Sequence, residues 1–443
     1  MNKTKQSKVN QKRLYIIFLC VCLLSTILLI PYAQGKKDSG ENTTSYAGDN
    51  DHKSNQNNPS GNNDGNTGKS DGEDLSSNDK GNSAPSDSND ETLEQRIHQK
   101  LSAMTLQQKV AQIFVITPEA LTGYKTITAA GEVTSNALKS YPVGGLVYFG
   151  ANLVTPDQLK TMTRNTQQYA EKIEGMPLFL GIDEEGGSVA RIGNNRKFRV
   201  KKYSNMAFIG AAKDFNKAYE VGDTIGGYLH EYGVNLDFAP DADVLTNSNN
   251  TVIGNRSFGT DADLVAKMAL ETAQGLARNQ VLSCFKHFPG HGATEGDTHE
   301  GYAYTNKTLN ELKNSELVPF QAAADNHIPF IMVSHISVPN VIGNNTPSTL
   351  SKVMITDILR NQMGYDGIII TDAMNMGAIV NNYSNKEAVI QAIEAGADMV
   401  LMPQNFEEAY QGVLDAIADG TISEQRINES LERILRVKLN MNR

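Results

Sequence analysis

Eight short runs that are almost wholly apolar, with amphipathic segments between them, narrow the folds open to this chain more than any other feature. They are VAQIFVI from Val110, GGLVYFG from Gly144, PLFLGID from Pro177, GVNLDFAP from Gly233, VLSCFKHF from Val281, IPFIMVSH from Ile328, GIIITDA from Gly367 and ADMVLMP from Ala397. A strand with one wet face alternates apolar and polar side chains. A run that is apolar throughout belongs to a strand buried on both faces, as in a parallel sheet covered by helices. The intervening stretches, such as DLVAKMALETAQGLARNQ and NKEAVIQAIEAG, carry helical periodicity, and after Thr421 a last helix keeps Ile427, Leu431, Ile434 and Leu435 on one stripe. Eight strands in about 350 residues favour an α/β fold of one (β/α)8 TIM-type barrel over a doubly wound sheet. Such a barrel places its chemistry at the C-terminal ends of the strands, where this chain has Asp183, Asp241, Lys286 with His287, His335 and Asp372.

The barrel does not start at the N-terminus. Residues 1–35 pass from the basic MNKTKQSKVNQKR through an uncharged stretch, Tyr15 to Ala33, to the small residues Ala33 and Gly35. That order reads as a signal peptide or, if uncleaved, as a membrane anchor over residues 15–33. Lysines ahead of the apolar run predict export, to the outside of the cell or its surface. Residues 36–89 are Asn, Ser, Gly and Asp with almost nothing apolar, a composition that predicts a disordered tether. Its reach as a flexible coil is roughly 40 Å. Composition changes at Ser88 to Glu91, a potential capping box, and the folded domain is expected over 90–443; Thr105 to Gln108 offers a second box.

A net charge of -10 argues against nucleic acid as a partner, because phosphate binding needs a basic face. The three cysteines, two in the N-terminal apolar run and Cys284 alone, make neither a disulfide framework nor a cysteine zinc site.

Residues 286–300, KHFPGHGATEGDTHE, gather three histidines in a glycine-rich stretch. Zinc is one reading, with His299 and Asp297 or Glu295 completing a ligand set. Pro289 and Gly290 between His287 and His291 make a helical metal-facing side improbable, however, and no H-E-x-x-H spacing exists. Neither a metal nor a cofactor is expected. Proton transfer is the second reading: a carboxylate two residues from a histidine can hold one ring nitrogen and raise the basicity of the other, as Asp297 and His299 would. A merely solvated loop is the third. Asp372, directly after GIIIT, must lie at a strand mouth, because burying it unpaired is costly. There it serves either as a nucleophile at an anomeric carbon or as a helix N-cap. Asp183 invites the same two readings, and Lys286 suits a substrate hydroxyl or an inner ion pair.

Taken together, KHFPGHG followed by D-T-H resembles the signature of the β-N-acetylglucosaminidases of glycoside hydrolase family 3, whose usual form ends in D-S-H. The likeness runs from MTLQQKVAQ at Met104 through GIDEEGGSVAR at Gly181 and NRSFG at Asn255 to ITDAMNMGAI at Ile370. The resemblance implies that Asp372 is the nucleophile, His299 the acid/base and Asp297 its orienting partner. It further implies that Asp183, Arg191, Arg256, Lys286 and His287 hold the sugar. It assigns no sugar contact to His291, which is expected to hold the loop; His335 is expected to pack at its strand end. The implied activity is retaining, exo-acting release of terminal β-linked N-acetylglucosamine from a carbohydrate substrate. Export and a tether point to peptidoglycan fragments and the cell wall, with the membrane as a further partner if the N-terminal segment is uncleaved. The alternatives are phosphorolytic cleavage of the same bond, a zinc hydrolase, and a catalytically inactive wall-binding module. PGHGATEG is expected to act as a mobile hinge for the acid/base loop.

Overall fold

The computed structural model describes residues 91–441. The expected signal or anchor segment, the tether and the box at Ser88 lie outside these residues. Among the described residues no helix is long and apolar enough to cross a membrane. The first helix among the described residues, Leu93–Ala103, is capped by Thr92, whose side chain accepts from Gln95 N while Gln95 returns the bond. The second box is realised as expected, with Thr105 and Gln108 opening Leu106–Gln112.

Each of the eight apolar runs contains a strand: β1 Phe114–Ile116, β2 Gly145–Val147, β3 Phe179–Ile182, β4 Leu236–Asp237, β5 Leu282–Phe288, β6 Phe330–Val333, β7 Ile368–Thr371 and β8 Val400–Leu401. Each pairs in parallel with the next from β1 to β7, and β8 pairs with β1. A bridge between Ile370 and Met399, with Thr371 N donating to the Met399 carbonyl at 3.0 Å, completes the ring. The strands are apolar throughout because both faces are covered, one by the barrel interior and one by the outer helices. Helices Ala262–Arg278, Asn385–Ala395 and Glu424–Asn440 occupy the stretches that carry helical periodicity, and all four stripe residues of the last are buried.

β5 departs from the simple pattern in a way that matters for chemistry. Cys284 and Phe285 face Phe330 and Ile331 of β6, yet Phe288 faces Val333, so β5 spends one residue more than its neighbour. Such a bulge breaks the two-residue alternation of side chains. Lys286 and His287, which are consecutive, can thus both line the cleft.

The opposite end of the barrel holds an unusual cation. Lys438 in the last helix is fully buried, lies 5.0 Å from the centre of the Phe179 ring and donates to Gln112 Oε1 at 2.8 Å. Burial pulls its amine down to about 7, against the charge of Glu174. The unfolded chain keeps an ordinary lysine value near 10.4 and so binds the extra proton between these limits. Folding stability must therefore rise with pH across that window, by at most about 1.4 kcal/mol per pH unit from this group. The expected result is that Lys438→Met flattens the rise between pH 7 and 9 relative to wild type, measured by urea unfolding at both pH values.

Candidate active site

The C-terminal ends of the strands open onto a cleft of about 410 Å³ lined by Asp183, Arg191, Arg256, Lys286, His287, His299 and Asp372. Seven of the eight implied site residues therefore meet in one place, and the eighth, Asp297, pairs with His299. Phe149, Met376 and Met402 complete the wall.

The charged side chains form one continuous chain of ion pairs. Arg191 Nη2 lies 3.1 Å from Asp183 Oδ2, Lys286 Nζ 2.9 Å from Asp183 Oδ1 and 2.7 Å from Glu185 Oε1, and Arg256 Nη2 2.7 Å from the same Glu185 oxygen. Burial alone would push both carboxyls up. Lys286 and Arg191 outweigh it at Asp183, and Arg256 and Lys286 at Glu185, so both acids are held below their ordinary values. The same charges hold the Lys286 amine above its ordinary value despite burial. Five cationic and anionic groups thus present fixed donors and acceptors at the cleft.

The three acids of GIDEEGG have separate tasks. Asp183 faces the cleft, and Glu185 bridges Lys286 and Arg256. Glu184 points away, accepting from Ile192 N and Gly193 N at 2.7 Å each and from the Tyr228 hydroxyl at 2.7 Å. It anchors the hairpin of Glu184–Gly186 and Val189–Ala190, which returns the chain so that Arg191 meets Asp183. A hairpin, not a helix, follows β3, so Asp183 caps nothing. The helix after β7, Gly377–Val380, has Met376 at its N-cap position, which excludes the capping role for Asp372 as well.

Asp372 receives the Ala373 N–H at 2.7 Å on Oδ1. Burial pushes its carboxyl up, but His335, His287, that N–H and His299 outweigh it and hold it below the carboxylate range. His335 is wholly buried, with Nδ1 at 2.7 Å from Thr349 Oγ1 and Nε2 at 3.0 Å from the Ala373 carbonyl. It props the backbone next to Asp372, a task beyond strand-end packing.

His299 Nδ1 lies 2.7 Å from Asp297 Oδ1, and the same oxygen accepts from His299 N at 2.9 Å. Burial raises the Asp297 carboxyl, and these two bonds with the His299 charge more than reverse that. His299 lines the cleft, and its side chain is 64% exposed.

A second Asp–His pair was not legible beforehand. His287 Nδ1 is 2.6 Å from Asp243 Oδ2, and Arg256 Nη2 lies 3.2 Å from His287 Nε2. The two His287 ring nitrogens thus face opposite charges, Nδ1 the Asp243 carboxylate and Nε2 the Arg256 guanidinium. The other Asp243 oxygen accepts from His291 N. The D-A-D spacing after β4 was the available signal, since residues two apart on extended chain share a side. Asp241, Asp243 and His287 offer donor atoms within 4.8 Å of one another. The Arg256 guanidinium already lies 3.3 Å from Asp241 Oδ2, and His287 Nδ1 is spent on Asp243, so the positive charge this cluster needs is supplied by the chain itself.

PGHGATEG departs from the expected hinge. Through Thr294 it is a buried wedge: Asn247 N donates to the Gly292 carbonyl at 3.0 Å, and Asn250 Nδ2 to the His291 carbonyl at 2.8 Å. His291, in accord with its expected role, grips the loop through Thr294 Oγ1 at 2.8 Å and Thr298 Oγ1 at 3.3 Å. Only past Glu295, whose N–H and carbonyl pair with Tyr304 at 3.0 Å, does the chain project as a separate tip.

The geometry matches known proteins. Residues 105–437 fit the family model described as the glycosyl hydrolase family 3 N terminal domain. The chain belongs to glycosyl hydrolase family 3. Within the family it is 32% identical over 328 residues to β-hexosaminidase A of Pseudoalteromonas piscicida, covering 69% of this chain and 54% of that protein. It is 33% identical to the β-hexosaminidase of Chromobacterium violaceum, over 67% of this chain and 81% of that one. Among solved structures, a family 3 β-N-acetylglucosaminidase from Paenibacillus sp. str. FPU-7 superposes with a TM-score of 0.72 at 36% identity, covering 77% of this chain and 63% of that one. This family 3 chain thus spans little more than half the length of the first of these relatives.

Proposed function

We propose that this chain is a retaining exo-β-N-acetylglucosaminidase. The observation that carries the reading is the convergence of Asp372, held ionised, and the Asp297–His299 pair on one cleft walled by interlocked ion pairs. The Asp372 carboxylate attacks C1 of a terminal β-linked N-acetylglucosamine as the C1–O bond breaks, and protonated His299 gives its Nε2 proton to the leaving oxygen. The neutral imidazole then takes a proton from water, whose oxygen attacks C1 from the other face. The bond to Asp372 breaks, and the sugar leaves with its configuration retained. Asp183, Arg191, Arg256, Lys286 and His287 hold the hydroxyls during both steps, and Asp297 keeps the imidazole oriented. No metal or cofactor is invoked.

The relatives named β-hexosaminidase and β-N-acetylglucosaminidase support this choice of sugar. For the natural substrate we infer peptidoglycan-derived fragments, met outside the cell or at its surface. That inference rests on the composition of residues 1–89, whose apolar run would carry the domain across the membrane or anchor it there.

Turnover of a chromogenic β-N-acetylglucosaminide tests the proposal. Wild type is expected to release the chromophore and free N-acetylglucosamine. Accumulation of the sugar 1-phosphate in phosphate buffer would replace hydrolysis by phosphorolysis. Absence of turnover with retained binding of wall fragments would replace the enzyme by a binding module.

A further inference from the structure

The tip that carries the acid/base histidine is seated on the turn that carries the nucleophile. Beyond the Glu295–Tyr304 pair, the Thr298 carbonyl accepts from Ala378 N at 3.0 Å and the His299 carbonyl from Gly377 N at 3.2 Å. Asn381 Nδ2 reaches the Glu300 carbonyl at 3.3 Å. These two N–H groups belong to the first turn of Gly377–Val380, where no carbonyl of the helix itself can receive them. The tip therefore supplies partners that the helix start lacks, and the helix start fixes the tip.

Gly377 leaves room for this contact. A Cβ there would stand 2.6 Å from the His299 carbonyl oxygen and 2.9 Å from both the carbonyl carbon and oxygen of Glu300. Backbone atoms cannot swing aside as the end of a side chain can. Gly377 is not among the residues with positive φ, so its need for glycine is a matter of space. Below, Thr298 is buried against His291, whereas Gly296 enters the tip at φ 88, a conformation that favours glycine. The His299 ring is largely exposed, so apart from Asp297 its position is set by the backbone that bears it.

We propose that the Gly377–Ala378 edge is the docking seat of the acid/base loop, and that Gly377 is a positioning residue for His299. The proposal rests on the reading of His299 as the acid/base. Through this seat one short segment, 372–378, sets both reacting groups: the carboxylate at its start and the imidazole docked at its end.

The test is the dependence on leaving group. Gly377→Ala is measured on a dinitrophenyl β-N-acetylglucosaminide, which needs no proton, and on N,N′-diacetylchitobiose, which does. A displaced acid should lower kcat/KM on the disaccharide about 10- to 100-fold more than on the aryl substrate, within the range of general-acid contributions. Combined with His299→Ala, Gly377→Ala should add no further selective loss, because both changes remove one function. Equal losses on the two substrates, or no loss, would overturn the seat. If Gly377→Ala fails to fold, Asn381→Ala decides, since it removes an exposed strut and buries nothing. A selective loss of about threefold is expected there, and a ratio unchanged from wild type counts against the proposal. If His299→Ala itself proves unselective, the acid/base reading is what fails.

Discussion

Asp372→Ala is expected to lower kcat/KM on every β-N-acetylglucosaminide by on the order of 10⁴-fold or more, with little change in the thermal midpoint. The loss is large because no other carboxylate can take over. Asp183 and Glu185 are locked between Lys286, Arg191 and Arg256, and Asp243 is committed to His287 and the His291 N–H. Stability should survive because Asp372 makes one side-chain hydrogen bond, to Ala373 N, and removing an acid from a confined site also removes its desolvation cost. The variant retains an intact His299, so added azide should enter the space left by the carboxylate and displace the leaving group from the face opposite it. The product would be the α-glycosyl azide, identifiable by NMR. Recovery of the β-azide from Asp372→Ala would show that the carboxylate had been given the wrong role. The pH dependence of the wild type follows from the same charges. With the folded value held below the ordinary one, Asp372 stays ionised through the mildly acidic range, and the acid limb of kcat/KM should lie below the ordinary value of an aspartate.

The barrel was legible because its strands are buried on both faces, and that condition leaves unbroken apolar runs that no other common architecture produces eight times. The acids at strand ends were legible for a related reason: a charge after an apolar run has to emerge at a mouth. What the chain concealed were relations across strands. Glu184 and Glu185 are identical neighbours, and only the hairpin that follows β3 turns one toward Tyr228 and the other toward Lys286 and Arg256. Asp243 had the D-A-D spacing to mark it, but its partner lies forty-four residues on, brought close by β4–β5 pairing. PGHGATEG read as mobile because glycine and proline dominate it. Asn247 and Asn250, from the previous loop, satisfy its carbonyls and bury it, and neither belongs to a pattern that would announce this.

For His299 the expected outcome is selectivity. His299→Ala should lose on the order of 10²- to 10⁴-fold on N,N′-diacetylchitobiose, the range that general acid–base catalysis supplies, and far less on a dinitrophenyl glycoside whose leaving group departs unprotonated. The second step needs the imidazole as base, so on the activated substrate the glycosyl-enzyme should accumulate and show a burst. Azide would then attack the intermediate from the side His299 has vacated and give the β-glycosyl azide, the opposite anomer to that from Asp372→Ala. The alkaline limb of kcat/KM, which reports loss of the acid's proton, should disappear with the ring. Asp297→Asn should give a milder form of the same pattern. The amide can still accept through its oxygen and hold the ring, but it removes the carboxylate charge beside the imidazole, so the selective loss on N,N′-diacetylchitobiose should be smaller than that of His299→Ala. His287 supplies the internal control. It too sits beside an aspartate, yet its Nε2 faces Arg256, so His287→Ala should weaken substrate binding and affect both leaving groups alike. Two histidines with carboxylate partners, one in β5 and one on the loop that follows it, would then be separated by their surroundings: the open cleft for His299, a guanidinium for His287.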